Sequence, residues 1–170
     1  HHDGLVEAIT DGELWHVRET MVPFIAELPE FIAAAEAGFV NGTAQAFAIV
    51  DNNSGKVVGS TRYMNMALAH QRVEIGYTFI AKSFQRTYVN TQAKLLLLTH
   101  AFEVMKLNRV EFLTDNQNHQ SKQALTRLGA VAEGVLRMHM VLRAGRLRDS
   151  IIYSIIAPDW PEVKTGLLSK

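Results

Sequence analysis

The segment from residue 73 to residue 106 constrains the fold most, because a polar linker joins a strand-like run to an apolar helix. Residues 73–80 (VEIGYTFI) have the composition of a strand, and residues 91–106 (TQAKLLLLTHAFEVMK) have that of a buried helix. Either Asn90 or Thr91 is expected to cap this helix, and Asn108 to end it. Together with a strand at residues 109–114, the segment predicts a βαβ unit in the middle of a sheet.

The flanking sequence predicts further helices and antiparallel strands. The predicted helices are residues 5–9, 14–17, 29–38 and 121–128 and one turn near residue 160, and the predicted strands are residues 46–50, 57–66, 131–142 and 147–156. Turn residues separate them, for example DNNSGK at 51–56 and Gly129 after the fourth helix. The expected fold class is α+β, with helices flanking a mixed, mostly antiparallel sheet, and residues 1–170 are expected to form a single domain.

Charge and cysteine content narrow the class of partner. The chain has 17 basic and 17 acidic residues and no cysteine, so it lacks the excess of positive charge that binds nucleic acid or an anionic membrane. It has no apolar run of about 18 residues that would span a bilayer, and no secretory leader is evident. We therefore expect a cytoplasmic protein whose partner is a small molecule or a peptide.

The linker before the central helix has the chemistry of an anion site. A helix start presents unpaired backbone N–H groups and a positive dipole end, and Arg86, Thr87 and Thr91 add side-chain donors. A simpler interpretation stays open, in which Asn90 or Thr91 only caps a core helix and Arg86 is a solvated surface residue.

Three segments together resemble one known family. VEIGYTFIAKSFQRTYVNTQAKLLLLTHAF, RVEFLTDNQNHQSKQALTRLGAVAEGVLRMHMV and GRLRDSIIYSII occur in the order and spacing of the GCN5-related N-acetyltransferase (GNAT) superfamily, and most resemble its ribosomal-protein (Rim) type. The resemblance extends from about residue 42 to residue 160. It implies that one strand preceding His1-His2 is missing from the sheet, and that these histidines are either native or a tag remnant.

The resemblance implies a binding site for acetyl-CoA between two splayed central strands. The family loop that wraps the pyrophosphate matches Gln85 at its first position, but Tyr88 and Asn90 stand where the family usually has small residues. Either Tyr88 is therefore expected to keep a negative φ, or the loop is expected to bind the phosphates differently from the family pattern. The implied cofactor-binding residues are Phe79, Ile80, Gln85, Arg86, Thr87, Tyr88, Val89, Asn90, Thr91, Asn118 and Ser121.

Two residues are candidates for catalysis. Alternation places Glu74 on the strand face opposite Val73 and Ile75, so that it need not lie in the apolar layer and is a candidate base for the amine. The alternative is a strand-edge glutamate paired with Arg62 or Arg72. Within the family-like Asn118-x-x-Ser121 motif, Ser121 is the candidate acid for the departing thiolate, or else a helix cap.

The sequence defines the binding site for the acceptor amine less well than the cofactor site. The resemblance implies that Trp15, Arg18 and Tyr63 line an acceptor groove, and His139 borders it. The histidines lack the spacing of metal ligands, so no metal site is predicted. The resemblance is also consistent with a homodimer.

The function implied by the resemblance is transfer of an acetyl group from acetyl-CoA to a primary amine, either a protein N-terminus or a small molecule, by direct attack in a ternary complex. Two alternatives stay open. One is a non-catalytic CoA-binding module or sensor with the same fold, and the other is transfer of a larger acyl group such as succinyl.

Overall fold

A computed structural model describes residues 1–169 of the chain. Its helices are α1 (His2–Thr10), α2 (Leu28–Val40), α3 (Tyr88–Thr99), α4 (His119–Leu128) and α5 (Trp160–Leu168). Its strands are β1 (Gln45–Val50), β2 (Val57–Ala67), β3 (Arg72–Ile80), β4 (Arg109–Asp115), β5 (Val131–Val141) and β6 (Leu147–Ile156). All predicted strands are confirmed to within one residue at each end. The predicted turn near residue 160 is a full helix, α5.

The strands form one six-stranded mixed sheet in the order β1-β2-β3-β4-β6-β5. Strands β3 and β4 are parallel, with Arg72–Glu74 in register with Arg109–Glu111, as the βαβ prediction requires. The pairs β1–β2, β4–β6 and β5–β6 are antiparallel. The α+β class is therefore confirmed. None of the helices within residues 1–169 is long and apolar enough to cross a membrane.

The central helix α3 begins three residues earlier than predicted. Its first residue is Tyr88, and the Oγ1 atom of Thr87 accepts a hydrogen bond from the N–H of Val89 at 3.3 Å. Thr87 therefore occupies the capping position, and the prediction that Asn90 or Thr91 caps the helix was wrong. A cap satisfies N–H groups and needs no apolar neighbour, so the apolar run from Leu95 onward does not fix where the helix starts.

The other end of α3 also differs from the prediction. The helix continues as a π-helical turn, His100–Val104, and the chain reverses at Lys106, whose φ is +56°. Asn108 is therefore not the residue that ends the helix. Lys106 takes the left-handed conformation that glycine or asparagine more often supplies at such an end.

The described residues group into two compact units. The first comprises His1–Met66 and Ile75–Ala93, and the second comprises Ala67–Glu74 and the chain from Lys94 onward. The first unit has a core contributed by α1, the segment between α1 and α2, the start of α2, and the end of β3 with the residue after it: Leu5, Ala8, Ile9, Leu14, Val22, Leu28, Phe79 and Ala81. Burial of these side chains is the main stabilising contribution.

Strands β2 and β3 approach closely at Gly59 in the first unit. A Cβ atom at this position would lie 2.2 Å from the carbonyl oxygen of Phe79. The Thr61 and Thr78 hydroxyls are 2.8 Å apart, and the carbonyl of Val58 accepts from the N–H of Ala81 at 2.8 Å. These paired positions run in opposite directions along the two strands, as the predicted antiparallel pairing requires.

Candidate functional site

The connection from β3 to α3 is a short ordered loop. Lys82–Phe84 forms one 3₁₀ turn, and Arg86 then adopts a left-handed conformation, with a φ of +61°. The Gln85 side chain turns back and donates from Nε2 to the carbonyl of Ile80 at 2.9 Å. Tyr88 already has helical geometry, so the expectation of a negative φ at this residue is confirmed.

One side of this loop is held by the β1–β2 turn. The Tyr88 hydroxyl donates to Oδ1 of Asp51 and accepts from Nδ2 of Asn53 at 2.7 Å. The other carboxylate oxygen of Asp51 accepts from the N–H and the hydroxyl of Ser54 at 2.8 and 2.6 Å. Hydrogen bonds from Ser54 and then Tyr88 lower the pKa of Asp51, so this carboxylate is an ionised anchor for the tyrosine.

The other side of the loop is held by the end of α1. The N–H of Ser83 donates to Oδ2 of Asp11 at 3.0 Å, and the Ser83 hydroxyl donates to the same oxygen. The N–H of Lys82 donates to the carbonyl of Asp11 at 3.0 Å. Two separate segments of the first unit therefore fix the loop before any ligand arrives.

The loop and the first turns of α3 carry basic side chains and no acidic side chain of their own. Residues 82–94 contain three basic residues and no acidic residue, and the first turn of α3 has no acidic side chain. Arg86 and Thr87 are exposed, whereas Lys94 is 5% exposed and burial lowers its pKa to about 7. N–H groups at a helix start and an exposed guanidinium are groups that suit a diphosphate.

The end of β3 departs from simple strand geometry. Tyr77 has a φ of +49°, which interrupts the alternation of side chains that the sequence predicts for residues 73–78. Beyond it, Phe79 and Ile80 are buried at 6% and 8% exposure and belong to apolar clusters of the first unit. Such an interruption re-aims backbone groups and is frequent next to functional sites.

Glu74 lies at the start of the same strand, in the second unit. Its side chain is buried, at 6% exposure, although the alternation in the sequence did not require burial. Strand β3 is interior in the sheet, and Arg72 donates to Oε2 of Glu111 at 3.1 Å. Glu74 therefore does not lie on an edge strand, while its role as a base and its pairing with Arg62 or Arg72 stay predictions.

Asn118 and Ser121 are joined at the start of α4. The Oδ1 atom of Asn118 accepts from the N–H of Ser121 at 2.9 Å, so Asn118 is the cap and Ser121 the third helical residue. This hydrogen bond accounts for the spacing of the Asn-x-x-Ser motif. The interpretation of Ser121 as the cap was wrong. Its assignment as an acid and that of Asn118 as a CoA contact are still predictions.

The proposed acceptor-groove residues of the first unit differ in exposure. Trp15 packs on the apolar core of the unit, 6.4 Å from the ring of Phe24, and Arg18 is exposed. Tyr63 is 1% exposed and lies edge-on to Phe47, and burial raises its pKa. Lining of a substrate groove by these residues stays a prediction.

His139 lies on the exposed strand β5 in the second unit. Its Nδ1 atom is 3.0 Å from the hydroxyl of the buried Ser150. Met138 beside it has a φ of +50°, and the register with β6 shifts between Leu136 and Met140. The side chains of this segment therefore do not alternate simply between the two faces of the sheet. Residues 1–169 contain no group of three or more histidine or acidic side chains arranged to hold a metal ion.

Sequence reasoning missed the residues that position the loop. Asp51 and Asn53 are 37 and 35 residues from Tyr88 along the chain, and no spacing rule connects them. The signal in sequence is limited to the Asp-x-x-Ser spacing of residues 51–54, which is typical of a turn closed by an aspartate side chain.

The sequence matches a known family model and a curated bacterial relative. The family model described as an acetyltransferase (GNAT) domain matches residues 1–131. The protein named "Putative ribosomal N-acetyltransferase YdaF" from Bacillus subtilis (strain 168) is 32% identical over 106 residues, which are 62% of this chain and 57% of that protein. The alignment therefore spans little more than half of that curated relative.

Solved structures share the fold over nearly the whole chain. A GCN5-related N-acetyltransferase from Brucella melitensis is 29% identical, with a TM-score of 0.87, and the match covers 99% of this chain and 76% of that one. RimJ of Mycobacterium smegmatis, solved in complex with CoA-disulfide, is 22% identical with a TM-score of 0.80, covering 98% and 84%. At that identity, the second match supports the fold alone.

Proposed function

Because this chain belongs to the GCN5-related N-acetyltransferase (GNAT) family, we propose that it transfers an acetyl group from acetyl-CoA to a primary amine. The match of residues 1–131 to the family model is the observation that carries this proposal. The loop of residues 82–94 supports it independently, since it has the donors and the basic side chains that suit a diphosphate.

Acetyl-CoA supplies an activated thioester when it is bound. In this proposal, the N–H groups at the start of α3, with Arg86 and Thr87, hold the diphosphate, and the Asp51 and Asp11 contacts keep the loop in place. Backbone near Phe79 and Ile80 and the side chain of Asn118 contact the pantetheine. Glu74 accepts a proton from the amine, and Ser121 donates one to the thiolate. Fixed positions for these groups lower the entropic part of the barrier.

Protein N-termini are the favoured acceptor class, since the Bacillus relative carries a ribosomal N-acetyltransferase name. We further propose that the protein works in the cytoplasm as a homodimer and needs neither nucleic acid nor a membrane. Light scattering at micromolar concentration measures the oligomeric state directly.

Thiol release tests the central proposal. Purified protein with acetyl-CoA should release free CoA only when an amine is added, and mass spectrometry should find the amine heavier by one acetyl group. Calorimetric titration with CoA gives the binding arm of the same experiment. CoA binding without amine-dependent release, over peptides and small amines, would instead identify a non-catalytic CoA-binding module. Release with succinyl-CoA but not with acetyl-CoA would reassign the acyl donor.

A further inference from the structure

Strand β2 carries a buried arginine with unused hydrogen-bond donors. Arg62 is 7% exposed, and within residues 1–169 its Nε and Nη2 atoms have no hydrogen-bond partner. Buried arginines are rare unless a carboxylate or another acceptor pairs with them, because removal of a charge from water is costly. Neither the diphosphate loop nor the proposed catalytic groups use this side chain.

Aromatic rings hold the guanidinium in place. Its Cζ atom lies over the ring of Phe31 on α2, 4.8 Å from the ring centre, and over the ring of Tyr77 on β3, at 4.5 Å. Cation–π attraction offsets part of the desolvation cost, but ring faces do not accept the N–H groups at the guanidinium edge. Burial accordingly lowers the pKa of Arg62, although an arginine stays protonated at any physiological pH.

The two atoms without partners have the geometry of a bidentate carboxylate-binding site. Nε and Nη2 lie on one edge of the guanidinium plane, and their parallel N–H bonds match the two oxygens of a carboxylate. Tyr77, whose ring stacks on the guanidinium, is 40% exposed, so this part of the unit lies near the protein surface. The left-handed conformation of Tyr77, with a φ of +49°, costs energy for an aromatic residue, and such strain concentrates at ligand sites.

We propose that Arg62 binds a carboxylate of the acceptor substrate, so that the preferred amines carry an acidic group. That the carboxylate belongs to an acceptor substrate rests on the proposed transferase function. The carboxylate site itself does not depend on that function. The carboxylate belongs either to a free amino acid or to an acidic residue near a peptide N-terminus. Both present the same group to Arg62.

Matched pairs of amines test the proposal. Alanine is compared with alaninamide, and the peptide amide Ala-Asp-Ala with Ala-Asn-Ala, by kcat/KM for thiol release. In the unmodified protein, at least one acidic member should exceed its neutral partner by roughly tenfold, as expected for a charge-assisted pair. The pair that shows the preference identifies the source of the carboxylate. Absence of acid preference in both pairs would overturn the proposal.

Two substitutions locate the preference. Arg62→Gln should bring the acid-to-neutral ratio to within about twofold, while Arg62→Lys, which keeps the charge but loses the fork, should leave an intermediate ratio. Arg148→Lys is the matched control, because Arg148 is also a buried arginine, at 8% exposure, and lies in the second unit. It should keep the ratio of the unmodified protein. A ratio unchanged by Arg62→Gln would overturn the proposal, and if that variant does not fold, an unchanged ratio in Arg62→Lys decides in the same way.

Direct binding separates this inference from the proposed function. Calorimetric titration with the same four compounds needs no turnover. Carboxylate binding that is lost in Arg62→Gln, without any thiol release, would refute the transferase function and leave the carboxylate site standing. Thiol release with equal rates for acidic and neutral partners would support the transferase function and refute the carboxylate site.

Discussion

At the scale of single residues, Glu74 is the most specific catalytic prediction. If it accepts the proton of the amine, Glu74→Gln keeps the shape of this buried side chain but removes the base. The loss in kcat/KM should then be greatest at the acidic end of the range from pH 6 to 9, where the least free amine is present. Glu111→Gln, at the paired position on β4, is the control. A pH profile with the same shape in Glu74→Gln and in the unmodified protein would exclude Glu74 as the base.

Tyr88 stands where the family usually has a small residue, and in the structure its hydroxyl anchors the loop to Asp51 and Asn53. Tyr88→Phe keeps the ring and the helix but removes the contacts to Asp51 and Asn53. The loop should then be less fixed, and CoA should bind several-fold more weakly by calorimetry. Asp51→Asn should also weaken binding, and the double variant should lose less than the sum of the two single losses, because both remove the Tyr88–Asp51 hydrogen bond. Additive losses would show that the two residues act separately.

At the scale of elements, the cap of α3 separates the predicted helix start from the observed one. Thr87→Ala should lower the free energy of unfolding by about 1 kcal/mol, as is typical for loss of a cap, and Thr87→Ser should restore it. Asn90→Ala and Thr91→Ala lie inside the helix and should change the stability little, which urea titration measures. A larger loss in Asn90→Ala than in Thr87→Ala would restore the boundary predicted from sequence.

A network of ion pairs links strands β4, β5 and β6 of the second unit. Arg109 donates from Nη1 to Oε1 of Glu133 at 2.7 Å and from Nε to Oε1 of Glu111 at 2.7 Å, and Ser154 donates to Glu133 at 2.7 Å. Hydrogen bonds from Arg109 first, and then from Ser154, lower the pKa of Glu133 from its ordinary value of 4.5 to about 2.

This lowered pKa predicts how the stability depends on pH. Because the folded-state pKa is the lower one, the contribution of Glu133 is complete above about pH 4.5. It is lost as the pH falls through the folded value of about 2. Glu133→Gln should therefore be less stable than the unmodified protein at pH 6, and the difference should shrink toward pH 3 in urea titrations. High salt should also reduce it, since the pair is partly exposed. A difference independent of pH would contradict the assignment.

Elements were predictable where local chemistry decides them. The hairpin of β1 and β2 follows from the DNNSGK turn, and the parallel pair β3–β4 follows from the helix between them. The left-handed residues Tyr77, Arg86 and Lys106 were not predictable, because each is a non-glycine residue of a type that rarely takes this conformation. The candidate site was likewise predictable only in part. The sequence identifies the loop, but the contacts of Asp51 and Asp11 that fix it span 37 and 72 residues, and no local pattern predicts them.

At the scale of the whole molecule, the boundary between the two compact units runs through continuous elements. Strand β3 contributes Arg72–Glu74 to the second unit and its remaining residues to the first, and α3 is divided between Ala93 and Lys94. Helices and paired strands form cooperatively. A single domain therefore stays our prediction, and unfolding experiments test it.

We expect a single cooperative unfolding transition, and the two tryptophans allow each unit to be observed separately. Trp15 lies in the first unit and Trp160 in the second, and the chain has no other tryptophan. In Trp160→Phe the fluorescence reports only the first unit, and in Trp15→Phe only the second. Within each variant, the fluorescence midpoint should coincide with the far-ultraviolet circular dichroism midpoint, and the calorimetric and van't Hoff enthalpies should agree. Separate midpoints within one variant would show that the units unfold independently and that the chain is not a single domain.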